Sequence, residues 1–98
     1  MYMTFRMMHG ELARMPEAMA LAVSARDHLN SEHGARYAVS VNVGGDPTAM
    51  SLASPWESLA DYEKVRAAVM SDAKLQSIVR MTSGLASDTQ DTIGQVLK

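Results

Sequence analysis

The chain has 98 residues, no cysteine, three histidines and a net charge of -2. That length fits one domain with one modest core, because a chain of this size buries only about 65 % of the surface it exposes when unfolded. The missing cysteines exclude a disulfide framework and a thiolate nucleophile, so a cytoplasmic setting is expected. Nine basic and eleven acidic residues spread along the chain give no basic patch for nucleic acid or anionic lipid.

The opening "MYMTFRMMHGE" is apolar, but Arg6 and His9 interrupt it well short of the roughly 18 residues of a membrane span, so neither an anchor nor a signal peptide is expected. From Met1 to Met8 the chain alternates, with Met1, Met3, Phe5 and Met7 on one face and Tyr2, Thr4, Arg6 and Met8 on the other. This is the period of a strand, with apolar bulk on both sides. The nine methionines fit an irregular core or an adaptable apolar pocket, since the thioether chain is flexible.

From Pro16 to His33 the period lengthens to that of an amphipathic helix. Met15, Ala18, Met19, Ala22, Ala25 and Leu29 gather on one side, opposite Glu17, Ser24, Asp27 and Ser31. Pro16 suits the first turn and Gly34 the position just past the last. Arg36 to Val43 alternates again and reads as a β-branched strand. Gly44 to Pro47 is the expected hairpin turn, and Thr48 to Trp56 the antiparallel partner strand, with Pro55 ending its ladder for want of a donor.

Ser58 followed by Asp61 is a helix-start signature, and Leu59, Tyr62, Val65, Val69 and Met70 form the expected inward stripe. One continuous helix would turn Leu75, Ile78 and Val79 about 150° away from that stripe, toward water. Two helices meeting at Ser71 to Lys74 remove the conflict, with Ser71 or Asp72 capping the second. Ser87 to Leu97 reads as a final strand. Strand, helix, strand, strand, helix, strand makes a ferredoxin-like α+β sandwich, with a four-stranded antiparallel sheet and helices on one face. Its other face, apolar by this pattern, should be covered by a second copy, making a homodimeric α/β barrel.

The stretches "SPWESLADYEKVRAAVMSDAKLQSI" and "EHGARYAVSVNVGGDPTAMSLAS" are similar to the corresponding parts of the dimeric α/β-barrel superfamily, and most resemble NIPSNAP-like and antibiotic-biosynthesis-monooxygenase-like small proteins. The resemblance implies the same fold and pairing. It leaves activity open among cofactor-free oxygenases, haem-degrading enzymes, lactone isomerases and members without assigned chemistry. The oxygenases use an asparagine from the first strand together with tryptophan and histidine, whereas this first strand has no asparagine. The haem-degrading relatives use a histidine late in the second helical region, and residues 66–81 contain none.

His9, beside Glu11, is the candidate acid/base, because imidazole exchanges protons near neutral pH. Arg6 is the candidate for gripping a carboxylate or enolate oxygen in a cleft between sheet and helices, or else pairs with an acidic residue at the dimer surface. Trp56 and Tyr62 are candidate walls for a flat ligand, or core packing at a strand-to-helix junction. His33 meets the negative end of its helix, and His28, five residues away and about 140° around, should not share an ion with it, so no metal site is expected. There is no G-x-S-x-G elbow, P-loop or G-x-G-x-x-G.

The leading expectation is therefore a homodimer that binds a small apolar or aromatic molecule, or serves as an accessory subunit, with no cofactor. The alternative is a cofactor-independent monooxygenase or isomerase acting on an aromatic or polyketide-like substrate, with His9 and Arg6 converging on one pocket. Haem held by one of the three histidines is a third reading.

Overall fold

The computed structural model describes residues 1–97. In chain order it comprises β1 (Tyr2–Gly10), a 3-10 turn (Leu12–Arg14), α1 (Met15–His33), β2 (Ala38–Val41), β3 (Ala49–Trp56), α2 (Leu59–Met70), α3 (Ala73–Ser83) and β4 (Ala86–Gln95). The strands form one sheet in the order β2-β3-β1-β4, every neighbouring pair antiparallel. β3 lies between β1 and β2, the split β-α-β arrangement of a ferredoxin-like α+β fold. No helix among the described residues is long and apolar enough to cross a membrane.

The helix boundaries follow their punctuation. Pro16 sits in the first turn of α1, and Gly34 closes the helix in the left-handed region at φ 67°. Ser58 caps α2 by accepting the Asp61 backbone N–H at 3.1 Å. Asp72 caps α3 by accepting the Leu75 N–H at 3.1 Å, which resets the helical phase and buries Leu75 and Ile78. Gln76 bridges the break, its amide donating to the Val69 carbonyl at 3.0 Å. The stripe on α2 is narrower than its sequence suggests. Tyr62, Val65 and Val69 pack against the core, while Leu59 and Met70 are exposed because each lies about 90° or more from the centre of that stripe.

Strand boundaries differ from the sequence reading at several points: β1 runs on to Gly10 instead of ending at Met8, and β4 ends at Gln95 instead of Leu97. β2 is short because the turn is a wider loop, tied by Asn42 donating to the Asp46 carbonyl at 2.9 Å and by Thr48 donating to the Asp46 carboxylate. β3 runs through Pro55, which pairs with Met3 of β1. The ring is tolerated because the ladder to β2 stops at Ala53, two residues earlier. A register shift between Met7 and His9 marks a bulge in β4, where Asp88 takes φ 51°.

The core lies between helices and sheet, built on Met8, Met15, Ala18, Ala22, Leu29, Met50, Leu52 and Trp56. Trp56 is 5 % exposed, and its indole N–H donates to the hydroxyl of Thr4 across the sheet at 2.9 Å. The opposite sheet face is less uniformly apolar than its alternation implies. Phe5 and Met7 are exposed there, yet their register partners on β4 are Thr92 and Gln90, and the hydroxyls of Ser40 and Ser51 bond each other at 2.7 Å alongside. The large exposed apolar side chains on this face, Phe5 and Met7, belong to β1.

Trp56→Phe keeps an aromatic ring but removes the indole donor from the buried Thr4 hydroxyl and some of the packed volume, and should cost about 2 kcal/mol in urea unfolding. Combining it with Thr4→Val should recover roughly 1 kcal/mol relative to the sum of the single changes, which a double-mutant cycle measures.

Candidate functional site

Four groups of side chains stand out, and they do not coincide. The first is aromatic. Trp56 stands edge to face with Tyr62 at 5.5 Å between centroids and with Tyr37 at 5.9 Å. Such geometry matches the quadrupoles of the rings and makes a packed cluster, not two parallel walls of a slot. Tyr37 is held by Asn30, whose amide donates to the Tyr37 carbonyl at 3.1 Å and accepts its N–H at 2.8 Å. This clamp joins the end of α1 to the start of β2, and burial pushes the Tyr37 phenol above its ordinary value.

Beside the cluster is an open cavity of about 480 Å³. Ala35, Trp56, Val65 and Ala68 line it together with His33, and its charged residues are Glu32, Asp61, Lys64, Glu57 and Arg36, the last 3.7 Å from the Glu57 carboxylate. Tyr62 is not part of the lining. Of the two aromatic candidates, only Trp56 touches this space.

The second group is Arg6 with Asp91. The guanidinium donates from Nε at 2.7 Å and from an Nη at 2.9 Å to the two carboxylate oxygens, a bidentate pair between β1 and β4. That contact raises Arg6 above its usual value and holds Asp91 below the usual carboxylate range. With side chains 45 % and 60 % exposed, the pair is solvated.

The third group is His9, whose Nε2 lies 3.4 Å from Asp46. Asp46, not Glu11, is its acidic neighbour, and the carboxylate is depressed chiefly by the Thr48 hydroxyl and then by the Thr48 N–H. Arg6 is opposite Leu52 and His9 opposite Ala49 on the same ladder. Three residues apart on a strand of period two, they project from opposite faces of the sheet. Neither lines the cavity beside Trp56.

The fourth group brings His28 and His33 together through a third residue. Their Nε2 atoms lie 2.6 and 2.7 Å from the same oxygen, Oδ2 of Asp72, and their ring centroids are 6.0 Å apart. An angle of about 140° keeps two residues off one meridian. A third group approaching between them from another helix is nevertheless within reach of both. The Leu75 N–H first, then His33 and His28, hold the Asp72 carboxyl well below the usual range. All three side chains are only 12–14 % exposed. The sequence signal was present in Asp72 as a helix cap, but nothing in the spacing linked it to α1.

No protein-family profile matches the sequence, and no curated protein does. Solved structures match over essentially the whole chain. A protein from Agrobacterium tumefaciens superposes with a TM-score of 0.84 at 15 % identity, over 100 % of this chain and 95 % of its own. A NIPSNAP domain protein from Burkholderia xenovorans gives 0.83 at 10 % identity, over 99 % and 95 %. A candidate antibiotic-biosynthesis monooxygenase from Deinococcus radiodurans gives 0.79 at 14 %, over 100 % and 94 %. The chain thus has the ferredoxin-like fold of the antibiotic-biosynthesis-monooxygenase and NIPSNAP proteins. At these identities the likeness is one of fold.

Because the folded state holds Asp91 below its ordinary value near 4, the pair with Arg6 contributes stability that is fully present above about pH 4 and drains away as pH falls through the lowered value. Asp91→Asn should therefore cost about 0.5 kcal/mol at pH 7 and almost nothing near pH 2, a convergence that urea titrations at the two pH values would register.

Proposed function

We propose that this protein is a homodimeric α/β barrel in which each subunit binds a small, largely apolar or aromatic molecule. The observation that carries the binding reading is the cavity of about 480 Å³ beside Trp56, within the size range of small-molecule pockets and lined in part by Ala35, Pro55, Trp56, Val65 and Ala68. Its rim sets Arg36 and Lys64 against Glu32, Glu57 and Asp61, a mixed set of charges with one negative charge in excess, which disfavours a strongly anionic ligand. Pairing is supported by Phe5 and Met7, 41 % and 45 % exposed on the helix-free face of a central strand.

A second reading, cofactor-independent oxygenation or isomerisation of an aromatic or polyketide-like substrate, draws support from neighbours described as antibiotic-biosynthesis monooxygenases. In that reading His9 and Arg6 act from separate faces of the sheet, and an acid/base step assigned to one does not share a pocket with the other. Simple binding asks less of the geometry and stands first.

Ligand binding is tested by following Trp56 emission and Tm against a panel of small aromatics. Binding should raise Tm, because the ligand is held by the native state alone, and Ala68→Trp should abolish the response by filling the cavity from α2. A panel that leaves both emission and Tm unchanged removes the reading. For the dimer, sedimentation equilibrium at about 100 µM should give twice the chain mass for the parent and a single chain mass for Phe5→Glu/Met7→Glu. A monomeric parent would refute the pairing.

A further inference from the structure

Two imidazoles and a carboxylate come together where the last two turns of α1 meet the first turn of α3. One donor atom from each of His28, His33 and Asp72 lies within 4.8 Å of the other two, and both Nε2 atoms face Asp72 Oδ2. Each residue presents a good ligand for a borderline divalent ion: neutral imidazole nitrogen twice and ionised carboxylate once. We propose that His28, His33 and Asp72 form a binding site for a divalent transition-metal ion such as Zn²⁺, with remaining coordination positions left to water or a small ligand.

Three features support the assignment beyond the donor count. Both histidines turn the same nitrogen, Nε2, toward the same point, although they leave the helix about 140° apart. Asp72 is oriented from behind: its Oδ1 accepts the Leu75 N–H at 3.1 Å, leaving Oδ2 for the ion, the kind of supporting contact that fixes a metal-binding carboxylate. The side chains are largely shielded from water, which lowers the competition an ion meets from solvent.

Hydrogen bonding alone also satisfies these groups, with each Nε2–H donating to Oδ2. An ion with bonds of about 2.0–2.1 Å in a tetrahedral site needs its donors roughly 3.3 Å apart. The nitrogens now stand 2.6 and 2.7 Å from the oxygen, so the ends of the side chains would separate by roughly 0.7 Å. That is a rotamer adjustment and leaves the helices in place. The bound ion would join α1 to α3, and His33 would connect it to the border of the cavity beside Trp56. The assignment does not depend on the small-molecule reading, because metal binding is measured without any organic ligand.

The test uses the tag-free chain, stripped with chelator and titrated with Zn²⁺ by calorimetry and with Co²⁺ by visible absorption. One ion per chain is expected, with a Tm rise of about 10 °C when Zn²⁺ exceeds its Kd about 100-fold. Co²⁺ should develop the intense visible absorption of a low-coordinate site. His28→Gln and His33→Gln should each lose the absorption and at least 10-fold in affinity. Asp72→Asn keeps a competent helix cap and should weaken binding while leaving the apo fold intact. The proposal is overturned if the folded parent binds neither ion at about 100 µM, or if all three variants bind as the parent does. Should a histidine variant not fold, the parent titration together with Asp72→Asn decides the matter.

Discussion

One carboxylate sets the course of the second half of the chain. Asp72 ends the run begun by α2 and starts α3 by accepting the Leu75 N–H, so the apolar residues after it return to the core instead of continuing around the helix into water. Its second oxygen takes His28 and His33, which fastens the C-terminal end of α1 to the same point. A single side chain therefore caps one helix, contacts another and anchors a cluster of titratable groups. The cap it provides sets the helical phase in which Leu75 and Ile78 are buried.

The sheet imposes a second constraint, through its period of two. β1 is central, pairing β3 on one side and β4 on the other, so each of its side chains must face either the helices or the bare side. Arg6 and His9 are separated by an odd number of residues and therefore diverge. Arg6 answers β4 through Asp91, and His9 answers the β2–β3 loop through Asp46. Each has an acidic neighbour of its own, and joint action within one subunit would require the strand to break its alternation.

The fold was legible because it is written in periods. Alternation gave the first three strands, while the fourth was read only from a polar, threonine-containing stretch; the 3.6-residue rhythm gave α1, and the phase conflict between Val69 and Leu75 gave the break that Asp72 makes. Boundaries were less legible where a side chain competes with the ladder. Asn42 and Asp46 widen the loop after β2, and Pro55 survives in β3 because its neighbour strand has already ended. The site was hardest to read. Trp56 and Tyr62 do meet, but as packing, since adjacency says nothing about which face of a ring stays open. The contact of His28 and His33 with Asp72 spans about forty residues of chain, and no local spacing rule encodes it. Asn30, which holds Tyr37 through both amide atoms, was invisible for the same reason.

The contrast between fold and site follows from how many sequences satisfy each. Burying one face of a sheet under helices asks only for apolar residues of suitable size at the right period, which is why structures sharing 10–15 % of their residues superpose over the whole chain. A site asks for particular atoms at particular distances, and at that identity none of it is inherited by default. What this chain does must therefore be sought where its own side chains converge. His33 belongs both to the trio around Asp72 and to the lining of the cavity beside Trp56. The C-terminal end of α1, where these two features share a residue, is the part of the molecule at which charge, shielding and open volume meet.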